Sequence, residues 1–152
     1  MAENPYVGPR AFTEDESDKF HGRSTESQEL ISLILARRAV LLYSQSGAGK
    51  TSLLRASVLP ELRRRKRFEV LPIARVTGAD QADGNLYLAN TIAALFPGRP
   101  ELANATLAEA FAANQSTVPR LLILDQFEEI FTFHPELTEQ RREFFEQLGD
   151  CL

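Results

Sequence analysis

Apolar positions along this chain fall into two rhythms, one recurring at helical spacing and one running unbroken for four or five residues. Leu30, Ile31, Leu33 and Ile34 recur with a helical period and predict a helix running from after Gly22 to about Arg37, its buried side made of these four residues. Ser24 or Thr25 is expected to cap it, and Glu26 and Glu29 suit its positive end. The run AVLLY at residues 39–43 is continuous and short, which predicts a strand buried on both faces of a parallel sheet. Helical spacing resumes after Lys50 through Leu53, Leu54, Ala56 and Val58, and Pro60 is expected to end or kink that helix before a further turn over residues 61–67.

Residues 68–77 read as a second strand, which Pro72 assigns to a sheet edge because it removes one ladder donor. Residues 78–84 read as a loop, 86–96 as a helix stopped by Pro97 and Gly98, and 106–113 as a weaker helix. Leu121, Leu122, Ile123 and Leu124 form the most apolar run in the chain, a central strand that delivers Asp125 at its C-terminal end, where ligands bind in open α/β sheets. Phe127, Ile130 and Phe131 return to helical spacing, and a last helix beyond Pro135 is expected to bury Phe144, Phe145 and Leu148. The opening NPYVGPRAF at residues 4–12 reads as an extended, turn-punctuated arm.

Composition narrows the class without changing this picture. With 43% hydrophobic and 25% charged residues in 152, the chain belongs with globular α/β domains rather than disordered or fibrous proteins, and is short for a complete nucleotide-hydrolysing domain. The single cysteine, Cys151, excludes a disulfide framework within one copy, so a reducing, cytoplasmic setting is expected. No stretch approaches the roughly 18 apolar residues of a membrane span, and no membrane association is expected. A net charge of −4 argues against nucleic acid as a partner. The basic run of Arg63, Arg64, Arg65, Lys66 and Arg67 lacks interleaved aromatics and suits a solvated helix C-terminus.

The chemistry sits between the first predicted strand and the helix that follows. Nucleotide phosphates need several backbone N–H groups converging on one point, which calls for glycines followed by a helix N-terminus. Gly47, Ala48 and Gly49 before Lys50 and Thr51 meet that need, with Lys50 positioned to reach the β- and γ-phosphates and the Thr51 hydroxyl to ligate Mg²⁺. The common pattern is G-x-x-x-x-G-K-S/T, and Ser44 replaces its first glycine, so the turn into the loop is expected to need a compensating adjustment.

Asp125 has the position and chemistry of a Walker B carboxylate, a metal ligand directly or through water; its structural alternative is a strand-end helix cap. Hydrolysis also needs a group that orients or deprotonates water, for which Glu128 and Glu129 are the candidates, while Gln126 occupies the place directly after the aspartate. His21 and His134 lack ligand spacing and read as structural or exposed.

Taken together, NPYVGPRAF, the FHGR of residues 20–23, SQSGAGKTSLLRASVLPEL and LLILDQFEEIF resemble the N-terminal part of the novel STAND NTPase domain, a bacterial group of signal-transduction ATPases, over residues 4–131. The resemblance implies a three-layer α/β P-loop fold with a mainly parallel sheet in the order 5-1-4-3-2, here incomplete on the C-terminal side, so that the chain is expected to be a truncated piece lacking the fourth and fifth strands. It implies an arm over residues 1–23 and a nucleotide core over 24–152. It also implies that ATP with Mg²⁺ is bound by Ser44, Gln45, Ser46, Gly47, Ala48, Gly49, Lys50, Thr51 and Ser52, with Gly22 and Arg23 near the base, Thr51 and Asp125 on the metal, and Glu128 or Glu129 acting in hydrolysis. Expected partners are ATP and, through self-association or other domains, a signalling assembly.

Three readings follow. The first is an ATPase module, the second a nucleotide-gated interaction module or remnant with no hydrolysis of its own. The third is a kinase or GTPase in which the two motif strands would be neighbours; DQFEE does not belong to that class.

Overall fold

The computed structural model describes residues 10–77 and 84–152. The NPY segment of the arm and most of the 78–84 loop lie outside the described residues. The chain divides into two compact units, Met1–Phe68 and Glu69–Leu152. Seven α-helices and one two-stranded parallel sheet make up the regular structure among the described residues, a mixed α/β chain. No helix there is long and apolar enough to cross a membrane.

In the first unit a 3₁₀ turn, Glu14–Lys19, follows the arm and is fixed by Glu16, whose carboxylate accepts from the amide and hydroxyl of Thr13 and from Arg10. Helix α1 spans Ser24–Ala36 and buries Ser27, Leu30 and Ile31. Leu33 of its expected apolar side is instead exposed, and neither Ser24 nor Thr25 caps the helix: Arg23 holds the cap position without a side-chain bond to the turn.

The next helical stretch is continuous in three pieces, α2 (Lys50–Leu53), a π-turn (Leu54–Val58) and α3 (Leu59–Arg65). Pro60 explains the π-turn. Its ring clashes with the carbonyl four residues back and it supplies no N–H, so the helix widens just before it and the Leu59 amide reaches back five residues to the Leu54 carbonyl. Helix α3 ends with Lys66 in the left-handed region, and Arg63, Arg64 and Arg65 pair with Glu14 and Glu61, which makes the basic run a helix end.

The strand expected at residues 39–43 does not form. Among the described residues no strand pairs with this segment, and Leu41 and Tyr43 are 79% and 83% exposed. Apolar content alone cannot make a strand, because each backbone N–H and C=O needs a neighbouring strand to pair with.

The second unit is built on β1 (Glu69–Ala74) and β2 (Arg120–Leu124), which run parallel with Glu69 opposite Arg120 and Ala74 opposite Leu124. The register slips between Val70 and Ile73, so that Leu71 and Pro72 together face one residue of β2. Proline's missing donor is accommodated by this bulge. In the two-stranded sheet β2 is itself an edge, not a central strand, and its residues are only half-buried.

Three helices cover the pair: α4 (Leu86–Leu95), α5 (Leu107–Ala113) and α7 (Thr138–Asp150), with the short α6 (Glu129–Thr132) following β2. Tyr87, Ile92, Leu107, Ile130 and Phe144 are fully buried in one cluster, with the Tyr87 and Phe144 rings edge to face at 6.3 Å. Polar groups fix the packing. Asn85 caps α4 through the amides of Tyr87 and Leu88 while its own amide donates to the Gln140 carbonyl of α7, and Gln140 and Gln147 accept from Leu86 and Leu107, the first residues of α4 and α5. Helix α7 therefore satisfies donors that two other helix starts would leave unpaired. Phe145, expected in the core, is 37% exposed and stacks on Phe131, itself 59% exposed.

Truncating Phe144 to alanine removes the ring at the centre of this cluster and is expected to cost about 3–5 kcal/mol, read from the urea midpoint. Arg120 beside Glu69 at 2.8 Å, then Ser116, hold the Glu69 carboxyl below its ordinary value. A depressed carboxyl adds stability above the unfolded pKa of about 4.3 and loses it as pH falls through the folded value. The difference in urea midpoint between the parent chain and Glu69→Gln should accordingly shrink as pH is lowered from about 7 towards 3.

Candidate functional site

The residues singled out by sequence form two groups, one in each unit. In the first unit the chain arrives at residues 44–48 exposed, and the helix starts at Lys50. Gly49 sits before that helix at φ 79°, ψ 22°, and Gly47 also has φ 79°. For Gly47 the backbone conformation is the whole requirement, since a Cβ there would meet nothing within 4 Å; at Gly49 it would also lie 3.4 Å from the Arg23 guanidinium. Ser44 is not in the left-handed region, so a side chain is tolerated there and the expected adjustment is unnecessary.

Lys50 folds back over the loop, its ammonium donating to the carbonyls of Ser44 at 3.0 Å and Gln45 at 3.4 Å. Arg23 also bonds to the loop. Its Nη1 donates to the Ala48 carbonyl at 2.7 Å while Nε donates to Glu26 at 3.2 Å. The Glu26 carboxyl is held below its ordinary range by its own backbone amide and by Arg23. The Arg23 carbonyl accepts from the Ser27 amide and hydroxyl, and Ser57 of the π-turn donates to that hydroxyl at 2.8 Å. Arg23 is thus anchored through its backbone to the helix that the loop opens, and through its side chain to the loop itself. The spacing of Arg23 and Glu26 was a legible sign of the ion pair; the Ser27–Ser57 link between distant helices was not.

Thr51 lies half-buried in the first turn of α2, and the Ser52 hydroxyl accepts from the Phe12 amide at 3.2 Å, tying the arm to the helix. Gly22 has φ 84° and turns the chain before Arg23.

In the second unit Asp125 is 7% exposed at the end of β2 and its amide extends the ladder to the Ala74 carbonyl at 2.9 Å. One carboxylate oxygen accepts from the Gln126 amide at 3.1 Å, whereas α6 begins only at Glu129, so Asp125 is not the cap of that helix. Gln126 lies in the left-handed region, and its buried side-chain oxygen has no partner among the described residues. The two glutamates differ. Glu128 is exposed, while Glu129 is half-buried and accepts a hydrogen bond from the Thr77 hydroxyl. His21 is exposed and His134 faces Glu136; among the described residues no cluster of three or more His, Cys, Asp or Glu gathers.

Gly49→Ala forces a side chain into the left-handed region and is expected to cost about 1–2 kcal/mol of stability. Arg23→Gln should speed amide hydrogen exchange over residues 45–50 while leaving α1 protected. Equal exchange in the two chains would mean that the guanidinium does not hold the loop.

The family described as novel STAND NTPase 1 matches residues 5–152. No curated protein and no solved structure matches the chain. Family membership supports nucleotide binding in general, with divalent metal use as the general habit of the class. On a match that spans nearly its whole length, the chain belongs to the novel STAND NTPase 1 family.

Proposed function

We propose that the chain is the ATP-binding, Mg²⁺-dependent module of a STAND-type signalling switch that hydrolyses ATP slowly. The observation that carries this is the loop of residues 44–51. Two glycines held at φ 79° lead into a helix whose first amides have no acceptor within the helix, with Lys50 directly at its start. Phosphates would be held by the amides of Ser46, Gly47, Ala48 and Gly49 and by Lys50; the Ala48 amide would exchange the Gln45 carbonyl, and Lys50 the Ser44 and Gln45 carbonyls, for phosphate oxygens.

The residues assigned to the metal in this reading, Thr51 and Asp125, each carry oxygen ligands, a hydroxyl and a carboxylate. That set fits Mg²⁺, a hard cation that takes one or two protein oxygens and keeps phosphate and water for the rest. When bound, the ion would neutralise phosphate charge during transfer. Of the two glutamates, Glu129 is the better candidate to orient water, because a half-buried, hydrogen-bonded carboxylate is held in one place and an exposed one is not.

Gln126 favours a second reading, a switch that binds nucleotide without turning it over, since a carboxamide directly after Asp125 cannot accept a proton from water as a carboxylate can. Output through self-association or a partner domain belongs to either reading.

Calorimetry with Mg·ATP and Mg·GTP, combined with phosphate release, tests the proposal. The parent chain should bind ATP in preference to GTP, and Lys50→Ala should weaken binding at least about tenfold, which corresponds to roughly 1.4 kcal/mol. Glu129→Gln should bind as the parent does and release phosphate at least about a hundredfold more slowly. Binding unaffected by Lys50→Ala would remove the phosphate loop from the proposal, and binding without any release by the parent would leave the silent switch.

A further inference from the structure

We infer that Thr77 is a positioning residue for the Glu129 carboxylate, an inference that rests on the hydrolytic role proposed for Glu129. The two residues are far apart in sequence and meet because β1 and β2 pair in parallel. Thr77 follows the C-terminal end of β1 and Glu129 follows that of β2, the side of a parallel sheet at which ligands bind.

Both partners in the bond are held by their own surroundings. On the β1 side Val76 is fully buried and its carbonyl accepts from the Asn90 side chain, so the backbone entering Thr77 is fixed, and β-branching limits the rotamers open to its hydroxyl. On the β2 side the Asp125 amide bonds to Ala74, Gln126 reverses the chain, the Glu129 amide donates to the Gln126 carbonyl at 3.0 Å, and Ile130 is fully buried next door. Between these fixed points the Thr77 hydroxyl donates to Oε2 of Glu129.

The bond occupies one oxygen and leaves the other. The Thr77 hydroxyl engages Oε2 alone, so the carboxylate is oriented through one atom, and Oε1 is the oxygen that would accept from a water molecule. A carboxylate that served only to tie β1 to α6 would not need a position at the C-terminal edge of the sheet. Glu128 has no such donor and stays in solvent.

The test is steady-state ATP turnover and nucleotide affinity of the full chain carrying Thr77→Val, Thr77→Ser, Glu129→Gln, and Thr77→Val with Glu129→Gln, each checked for an unchanged melting transition. Valine keeps the shape and removes the donor, so kcat should fall on the order of ten- to a hundredfold with KM and Kd unchanged. Serine should restore most of kcat, and Thr77→Val should cause no further loss once Glu129 is glutamine. Should Thr77→Val fail to fold, Thr77→Ala read against Thr77→Ser carries the same comparison. Turnover undiminished in Thr77→Val, a loss that serine does not restore, or a loss that persists beside Glu129→Gln overturns the inference. Failure of the underlying reading has a different signature, in which the parent releases no phosphate or Glu129→Gln releases it at the parent rate, and the role of Thr77 falls with it.

Discussion

The parallel pairing of β1 with β2 is the constraint on which the second unit depends. Parallel strands cannot be joined by a tight turn, so the chain between them must cross over, and here α4 and α5 lie along that crossover. The same pairing aligns the C-terminal ends of the two strands. The Asp125 amide bonds to the Ala74 carbonyl, one residue beyond β2, and this added rung puts the carboxylate of Asp125, the carboxylate of Glu129 and the hydroxyl of Thr77 at one edge of one sheet. A two-stranded sheet cannot hold that arrangement alone. It is held because Tyr87, Leu107, Ile130 and Phe144 bury their side chains in one cluster, and because glutamines of α7 take up the first amides of α4 and α5.

What could be read from sequence divides along the same line between local and non-local causes. The conformation of the 44–50 loop was legible because its determinants are consecutive: Gly47 and Gly49 take the left-handed conformations their lack of a Cβ permits, and Lys50 starts a helix. The helix at Leu86–Leu95 with its stop before Pro97 and Gly98, and the carboxylate at the end of the Leu121–Leu124 run, are local in the same sense. So is the π-turn, whose cause, Pro60, was visible even though its form was not. Residues 39–43 mark the limit. Their composition satisfies every local criterion for a buried strand, yet Leu41 and Tyr43 are exposed, since pairing is supplied by other segments and cannot be read from the run itself. Thr77 was invisible for the same reason, being an ordinary threonine at the end of a strand until β2 is laid beside it. Phe145 failed differently, because a helix with adjacent aromatics can turn only one of them fully inward, and Phe144 occupies that place.

The electrostatics of the loop at residues 44–50 follow from how its carbonyls are used. A loop that is to hold an anion gains from N–H groups and is weakened by carbonyl oxygens turned the same way, since an oxygen lone pair beside a phosphate is a like-charge contact. Here the carbonyls of Ser44 and Gln45 are taken by Lys50 and that of Ala48 by Arg23, two cations from opposite sides of the loop in sequence. Under the proposed phosphate binding, the two cations would not stand in the same position on arrival of an anion. Arg23 is braced by Glu26, by the Ser27 contacts to its carbonyl and by a planar fork that suits simultaneous bonds, so it can keep its grip on Ala48. Lys50 is a point charge on a flexible stem with three rotatable donors, and exchanging two neutral carbonyls for charged oxygens is favourable for it. The division of labour is chemical: the arginine shapes the loop, and the lysine is the cation free to change partners.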